Sequence, residues 1–76
     1  MGHKYPILKP KEIIKALERL GFRFKRQTGS HARYRNEDGK TVRNVSVPMH
    51  YEVDRGTLMS ILEQADITLE EFLENL

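Results

Sequence analysis

The hydrophobic pattern of this chain changes its period at Gly21. Before that residue, apolar side chains recur at helical spacing, at Ile13, Ile14, Leu17 and Leu20. After it, Phe22 and Phe24 alternate with cations, which is typical of a strand. A glycine suits the end of a helix because it accepts a left-handed backbone. The sequence therefore predicts a helix from about Pro10 to Gly21, then a strand with both phenylalanines facing the core.

Two turns divide the next segment into strands. We place a tight turn at Thr28-Gly29 and a second one at 36–39, where Asp-Gly is a hairpin signature. The third strand is expected from about Lys40 to Pro48. Within it Val45 and Val47 share one parity and Val42 has the other, so we expect a bulge near positions 43–44. Met49 to Val53, with His50 and Tyr51, is predicted to be a connector.

Capping residues mark two further helices. Asp54 is a suitable N-cap for a helix whose apolar face would hold Leu58, Ile61, Leu62 and Ala65. Thr68 and Glu71 have the spacing of a capping box that opens a short helix over 68–76. The predicted fold is α+β, in the order α-β-β-β-α: a three-stranded antiparallel sheet with helices on one face, plus the C-terminal helix. We expect one domain over 1–76, with 1–8 as an extended lead-in.

The charges are distributed unevenly. Residues 1–43 hold 12 Lys and Arg against 4 Asp and Glu, a net charge of +8, whereas residues 44–76 have a net charge of −6. A basic half favours a polyanionic partner such as nucleic acid, although the two halves could also simply neutralise each other. No apolar run is long enough to span a membrane, and neither a signal peptide nor a cysteine is present. We therefore expect a cytoplasmic protein.

Strand parity predicts where His31 points. If Ala32 and Tyr34 face the core, His31 shares the outer face with Arg33 and Arg35. An imidazole can take or give a proton near neutral pH, and surrounding cations can stabilise the charge of a reacting phosphate. His31 could also be an ordinary surface histidine after a turn. Too few carboxylates or histidines lie near it for a metal nuclease, so we expect no metal or other cofactor.

Four ordered segments resemble the HicA toxin family. Residues 26–31 (Arg-Gln-Thr-Gly-Ser-His) resemble its RQ-x-GSH motif, and 13–22 resemble its opening helix, in which Gly precedes an aromatic residue. Residues 45–50 are similar to its third strand and V-P-x-H exit, and 56–65 to its G-T-L-x-x-I-L-x-Q-A helix. The chain departs from the family at position 66, which is Asp where Gly is usual, and in a longer segment at 40–46. The acidic helix over 68–76 also lies outside the family core.

This resemblance implies a double-stranded-RNA-binding-domain-like fold and an mRNA interferase, the ribonuclease toxin of a type II toxin–antitoxin system. It implies that His31 is catalytic and that a HicB-like antitoxin covers the site. The cations and hydroxyl expected to bind RNA phosphates are Arg23, Lys25, Arg26, Ser30, Arg33 and Arg35. His50 is a weaker candidate for a second proton-transfer group.

Two other functions stay open. The chain could be an RNA-binding module that does not cut, gripping duplex RNA through Lys11, Lys15 and Arg19 on the first helix. It could also be a protein-interaction domain. In a toxin, this role would accompany the ribonuclease activity rather than replace it. An antitoxin with acidic residues would then associate at a salt-sensitive rate.

Overall fold

The computed structural model describes residues 7–50 and 52–76. Its elements, in chain order, are α1 (Pro10–Arg19), β1 (Arg23–Thr28), β2 (His31–Asn36), β3 (Arg43–Pro48), α2 (Arg55–Ala65) and α3 (Leu69–Glu74). The strands form one antiparallel sheet in the order β1-β2-β3. The predicted α+β order is confirmed, including the short C-terminal helix.

The first helix forms as the periodicity predicted. Pro10 occupies its first turn, and the Lys9 backbone N–H donates to Glu12 Oε1 at 2.9 Å. Ile13, Ala16 and Leu17 are buried against the rest of the core. Gly21, just beyond the helix, has a φ of +98°, a conformation that side chains with a Cβ rarely adopt. Of the predicted lead-in, residues 1–6 lie outside the described residues, and Leu8 pairs with Val53 as an isolated bridge.

The inward position predicted for Phe24 is wrong. Phe22 is fully buried but precedes β1, whereas Phe24 is 53% exposed. Phe24 pairs with Tyr34, and its ring meets the Tyr34 ring edge-on at 5.6 Å between centroids. The register then shifts between Phe24 and Arg26, which leaves Lys25 as the bulged residue. Because β1 is an edge strand with every residue exposed, parity alone does not bury its side chains.

Both predicted turns need correction. The tight turn consists of Gly29 and Ser30, not Thr28 and Gly29, because Thr28 pairs with His31. Between β2 and β3 the chain forms a loop over 37–42 rather than a tight Asp-Gly hairpin. The β2–β3 register is continuous, so the bulge predicted near 43–44 is absent there. Val42 lies before the strand and is 44% exposed, which removes the parity conflict.

The Asn36 side chain connects this loop to the end of α1 through two hydrogen bonds. It is 1% exposed, its Nδ2 donates to the Leu20 carbonyl at 3.0 Å, and its Oδ1 accepts from the Asp38 N–H at 2.7 Å. A Cβ at Gly21 would lie 2.9 Å from Asn36 Nδ2 and 2.8 Å from Asp38 Oδ2. The close approach at Gly21 therefore joins the first helix to the exit of β2.

Local caps set the bounds of α2 and α3. Asp54 Oδ1 accepts from the Thr57 N–H at 2.8 Å, as predicted, and this hydrogen bond lowers the pKa of the Asp54 carboxyl. Thr68 and Glu71 form the predicted capping box. Asp66 ends α2 with φ 57° and ψ 47°, the left-handed region where glycine is usual. None of the helices in the described ranges is long and apolar enough to cross a membrane.

The second helix lies along the free edge of β3. Gln64 Oε1 accepts the Ser46 backbone N–H at 2.9 Å, so a helix side chain satisfies a donor at the edge of the sheet. Arg43, at the start of β3, donates from Nη1 to the Ala65 carbonyl at 2.8 Å and lies 5.2 Å over the Phe22 ring. These contacts set the position of α2 relative to the outer face of the sheet.

Candidate functional site

The alternation predicted for β2 is present. Ala32, Tyr34 and Asn36 are buried, while His31 and Arg33 are exposed and Arg35 is half-buried. Burial, and secondarily the charge of Glu18, raise the pKa of Tyr34, so the phenol behind the strand stays protonated at neutral pH. The central strand thus shows one apolar face to the core and one cationic face, with the imidazole at its end.

His31 is the first residue of β2 and lies between two partners in the sheet. It pairs with Thr28 on one side and Pro48 on the other. The preceding turn is tied to the end of β3, because the Met49 N–H donates to the Ser30 carbonyl at 2.7 Å. Ser30 is thereby fixed beside His31, and its backbone has a structural role. The imidazole is exposed although the backbone beneath it is held on both sides.

A cationic groove, lined by Lys25, Arg26, Arg33, Arg35, Asn44 and Val45, crosses the sheet beside His31; its volume is about 320 Å³. Arg26 and Arg33 are directly paired across β1 and β2, and like charges in that position destabilise a sheet. Within the described ranges, Lys25, Arg26 and Arg33 make no hydrogen bond or ion pair with their side chains. Their charge is available to an anion from outside the chain.

Arg23 and Arg35 are partly engaged within the protein. Arg23 Nη1 donates to the carbonyls of Phe22 at 3.1 Å and Glu18 at 3.3 Å. Arg35 Nε forms an ion pair with Glu37 Oε2 at 3.0 Å. Together with Lys25 they border a second groove that also holds the carboxylates of Glu37 and Asp38. Arg23 therefore has fewer free donors than Arg26 and Arg33, and Glu37 partly neutralises the charge of Arg35.

On its other side, His31 borders a groove that the sequence did not indicate. This neutral groove is lined by His31, Ser46, Pro48, Thr57, Ser60, Ile61 and Gln64, and its volume is about 360 Å³. Ser46 and Pro48 come from β3, and four of the others come from α2. The sequence evidence for this groove is limited to the G-T-L-x-x-I-L-x-Q-A pattern, which contains Thr57 and Gln64. That pattern does not indicate a function for either residue.

The structure places His50 elsewhere. It lines a groove of about 460 Å³ with Met49, Glu52 and the start of α1, where Lys9 and Lys11 lie. His31 does not border that groove. The two imidazoles predicted as possible partners are therefore not brought to one groove, and Tyr51, between His50 and Glu52, lies outside the described residues.

The family described as "HicA toxin of bacterial toxin-antitoxin" matches residues 10–67. This chain belongs to the HicA toxin family. The matched span runs from the first residue of α1 to just beyond α2, so it contains His31, the cationic groove and the neutral groove. It ends before the acidic helix α3. No curated protein was found to match the chain.

Proposed function

We propose that this HicA-family toxin is a metal-independent endoribonuclease, an mRNA interferase, in which His31 is the catalytic general acid/base. One observation carries the proposal: the exposed imidazole of His31 borders a neutral groove and lies on the same face of β2 as Arg33, which lines a cationic groove. RNA has the matching composition, with anionic phosphates joined to uncharged riboses and bases. Membership of a toxin family supports the same reading.

RNA supplies its own nucleophile for such a reaction. His31 takes the proton of the 2′-hydroxyl, the 2′-oxygen forms a bond to the adjacent phosphorus, and the bond from phosphorus to the 5′-oxygen breaks. The leaving 5′-oxygen takes a proton from water. Arg26, Arg33 and Lys25 hold the phosphate and stabilise the extra negative charge in the transition state. In this scheme Arg23, Arg35 and Ser30 bind flanking phosphates or hold the site in place.

The direct test is cleavage of a mixed RNA by wild type and His31→Ala, with EDTA present. We expect wild type to cut in EDTA and His31→Ala to lose about 10²- to 10⁴-fold in rate, the usual contribution of a general acid/base. Because His31 is exposed, the variant should unfold at the wild-type temperature. Cleavage by His31→Ala at the wild-type rate refutes this role. RNA binding by a wild type that never cuts would favour the non-catalytic RNA-binding module.

A matched pair of cation variants tests the groove. Arg33→Gln should weaken RNA binding and reduce its salt dependence, because Arg33 lies in the cationic groove. Lys40→Gln removes the same charge from the exposed 37–42 loop and should have a smaller effect. Equal effects of the two changes would show that overall charge, not the groove, attracts the RNA.

We also propose that a HicB-like antitoxin with acidic side chains covers this face in the cytoplasm. Lys25, Arg26 and Arg33 form an exposed positive surface that such an antitoxin would neutralise. Charge complementarity of this kind accelerates association, and salt screens it. The association rate, measured by stopped-flow at low and high salt, should fall as salt rises. A rate that is independent of salt contradicts the electrostatic part of this proposal.

A further inference from the structure

We propose that the neutral groove is the nucleobase subsite of this enzyme, and that the substrate is therefore RNA with an unpaired base beside the cleaved bond. The inference rests on the proposed ribonuclease function and names the part of the substrate next to His31. It assigns Ser60 and Gln64, on α2, to base recognition rather than to chemistry.

The hydrogen bonds around Gln64 leave donors on Gln64 and Ser60 that are free to bind a ligand. Gln64 Oε1 accepts the Ser46 N–H at 2.9 Å, and its Nε2 donates to Ser60 Oγ at 3.2 Å. The amide is therefore held at both ends, and its orientation is defined. Ser60 Oγ already accepts one hydrogen bond, so its own proton is available, as is the second Nε2 proton of Gln64. Two free donors on one helix thus border the groove.

The charge of the groove selects the kind of group it would hold. Its lining holds no Asp, Glu, Lys or Arg; the residues other than His31 are hydroxyl, amide or apolar. A phosphate would be held better by the cationic groove on the other side of His31, where Lys25, Arg26 and Arg33 lie. A nucleobase matches the neutral groove, because its edge carries hydrogen-bonding groups and its faces pack against apolar surface. Half-buried Pro48 supplies apolar surface there, and Ile61, which also lines the groove, is 1% exposed.

His31, which borders the neutral groove, and Arg33, which borders the cationic groove, are two residues apart on the same face of β2. A nucleotide whose base occupies the neutral groove would hold its ribose near His31, and its phosphate would continue toward Arg33 along β2. Such a base cannot remain in a duplex, where its edge is paired and its faces are stacked. Recognition of splayed-out bases is the usual way in which proteins read RNA sequence. The site therefore predicts cleavage in single-stranded segments with a preference at one base.

Two variants at one exposed position test the subsite. Ser60→Leu fills the groove and should lower kcat/KM on single-stranded RNA by about 10-fold or more, the scale of losing one bound base. Ser60→Ala removes only the hydroxyl and should change the relative use of cleavage sites about 2- to 10-fold, the effect of one hydrogen bond. Glu63→Leu is the control, since Glu63 is exposed on the same helix but borders a different groove. Both positions tolerate leucine, which is a good helix former.

Binding measurements separate the subsite from the chemistry. The probes are 2′-fluoro oligonucleotides of each base, which lack the attacking hydroxyl, and a blunt RNA duplex of the same length. We expect Ser60→Leu, which leaves the charge unchanged, to bind the single strands more weakly than wild type does, and wild type to prefer them over the duplex. If wild type binds in this way but cuts no RNA, the ribonuclease proposal fails and the base subsite stands.

The opposite pattern overturns the subsite and leaves the ribonuclease intact. It consists of Ser60→Leu cutting and binding as wild type does, with the same cleavage sites, while His31→Ala is inactive. Duplex RNA bound as tightly as single strands would equally overturn it.

Discussion

Replacing Asn36 tests how the end of β2, the strand that begins at His31, is held in place. This side chain is 1% exposed at the end of β2, and it bridges the carbonyl of Leu20 to the N–H of Asp38 at 3.0 and 2.7 Å. Asn36→Ala removes both hydrogen bonds and leaves their partners partly buried. At a net value of about 0.5–1.5 kcal/mol for each bond, the loss is about 1–3 kcal/mol. Because the partners of Asn36 are left without a hydrogen bond, we expect a loss of stability in the upper half of that range.

The assay is urea or thermal unfolding followed by circular dichroism. For a chain of this size, about 2–3 kcal/mol corresponds to a decrease in Tm of roughly 8–24 °C. Asn44→Ala is the control, because Asn44 is an exposed asparagine in the same sheet and should change stability by less than about 0.5 kcal/mol. A decrease at Asn36 no larger than that at Asn44 would refute the bridging role.

The variant Asn36→Asp sharpens the test through pH. The new carboxyl keeps the acceptor for Asp38 N–H but, when ionised, faces the Leu20 carbonyl with a buried charge. Its protonated form can donate to that carbonyl, so folding raises the pKa of the carboxyl. Stability relative to wild type should therefore be greatest below the unfolded value of about 3.9 and decline as pH rises through the folded pKa. A difference from wild type that does not change with pH would contradict the assigned hydrogen bonds.

Two further predictions concern backbone and caps. Gly21→Ala should destabilise the fold more than Gly29→Ala does, as measured by urea unfolding. Both glycines have a positive φ, and placing an alanine in that conformation costs about 1 kcal/mol or more, but only at Gly21 would the new Cβ also meet other atoms. Equal losses of stability in the two variants would contradict the close approach at Gly21. The Asp54 cap should stabilise α2 fully above the unfolded carboxyl pKa of about 3.9 and lose this effect as pH falls through the lower folded value. The substitution Asp54→Asn should abolish this loss of stability at low pH. If unfolding of the variant at different pH values still shows the same loss, the Asp54 cap is not its cause.

Sequence reasoning succeeded where the relevant contacts are local. The capping box at Thr68 and Glu71 spans three residues, and the alternation along β2 follows from strand geometry. That alternation placed His31 and Arg33 together on the outer face, as the structure has them. It failed at Phe24, because exposure of an edge strand depends on what lies beside it and not on parity. It failed again at the 37–42 loop, where a buried Asn36 stabilises a longer connection than the Asp-Gly signature implied.

The sequence by itself determined the order of the elements, the family and the outward cluster around His31. These depend on periodicity, caps and short motifs, in which interacting residues lie a few positions apart. Only the tertiary structure decided that His50 lies in a separate groove and that a neutral groove adjoins His31. The reason is physical: Ser46 and Gln64 are 18 residues apart, and their hydrogen bond exists only because α2 packs along β3. Such a contact depends on the packing of whole elements, which no local pattern encodes.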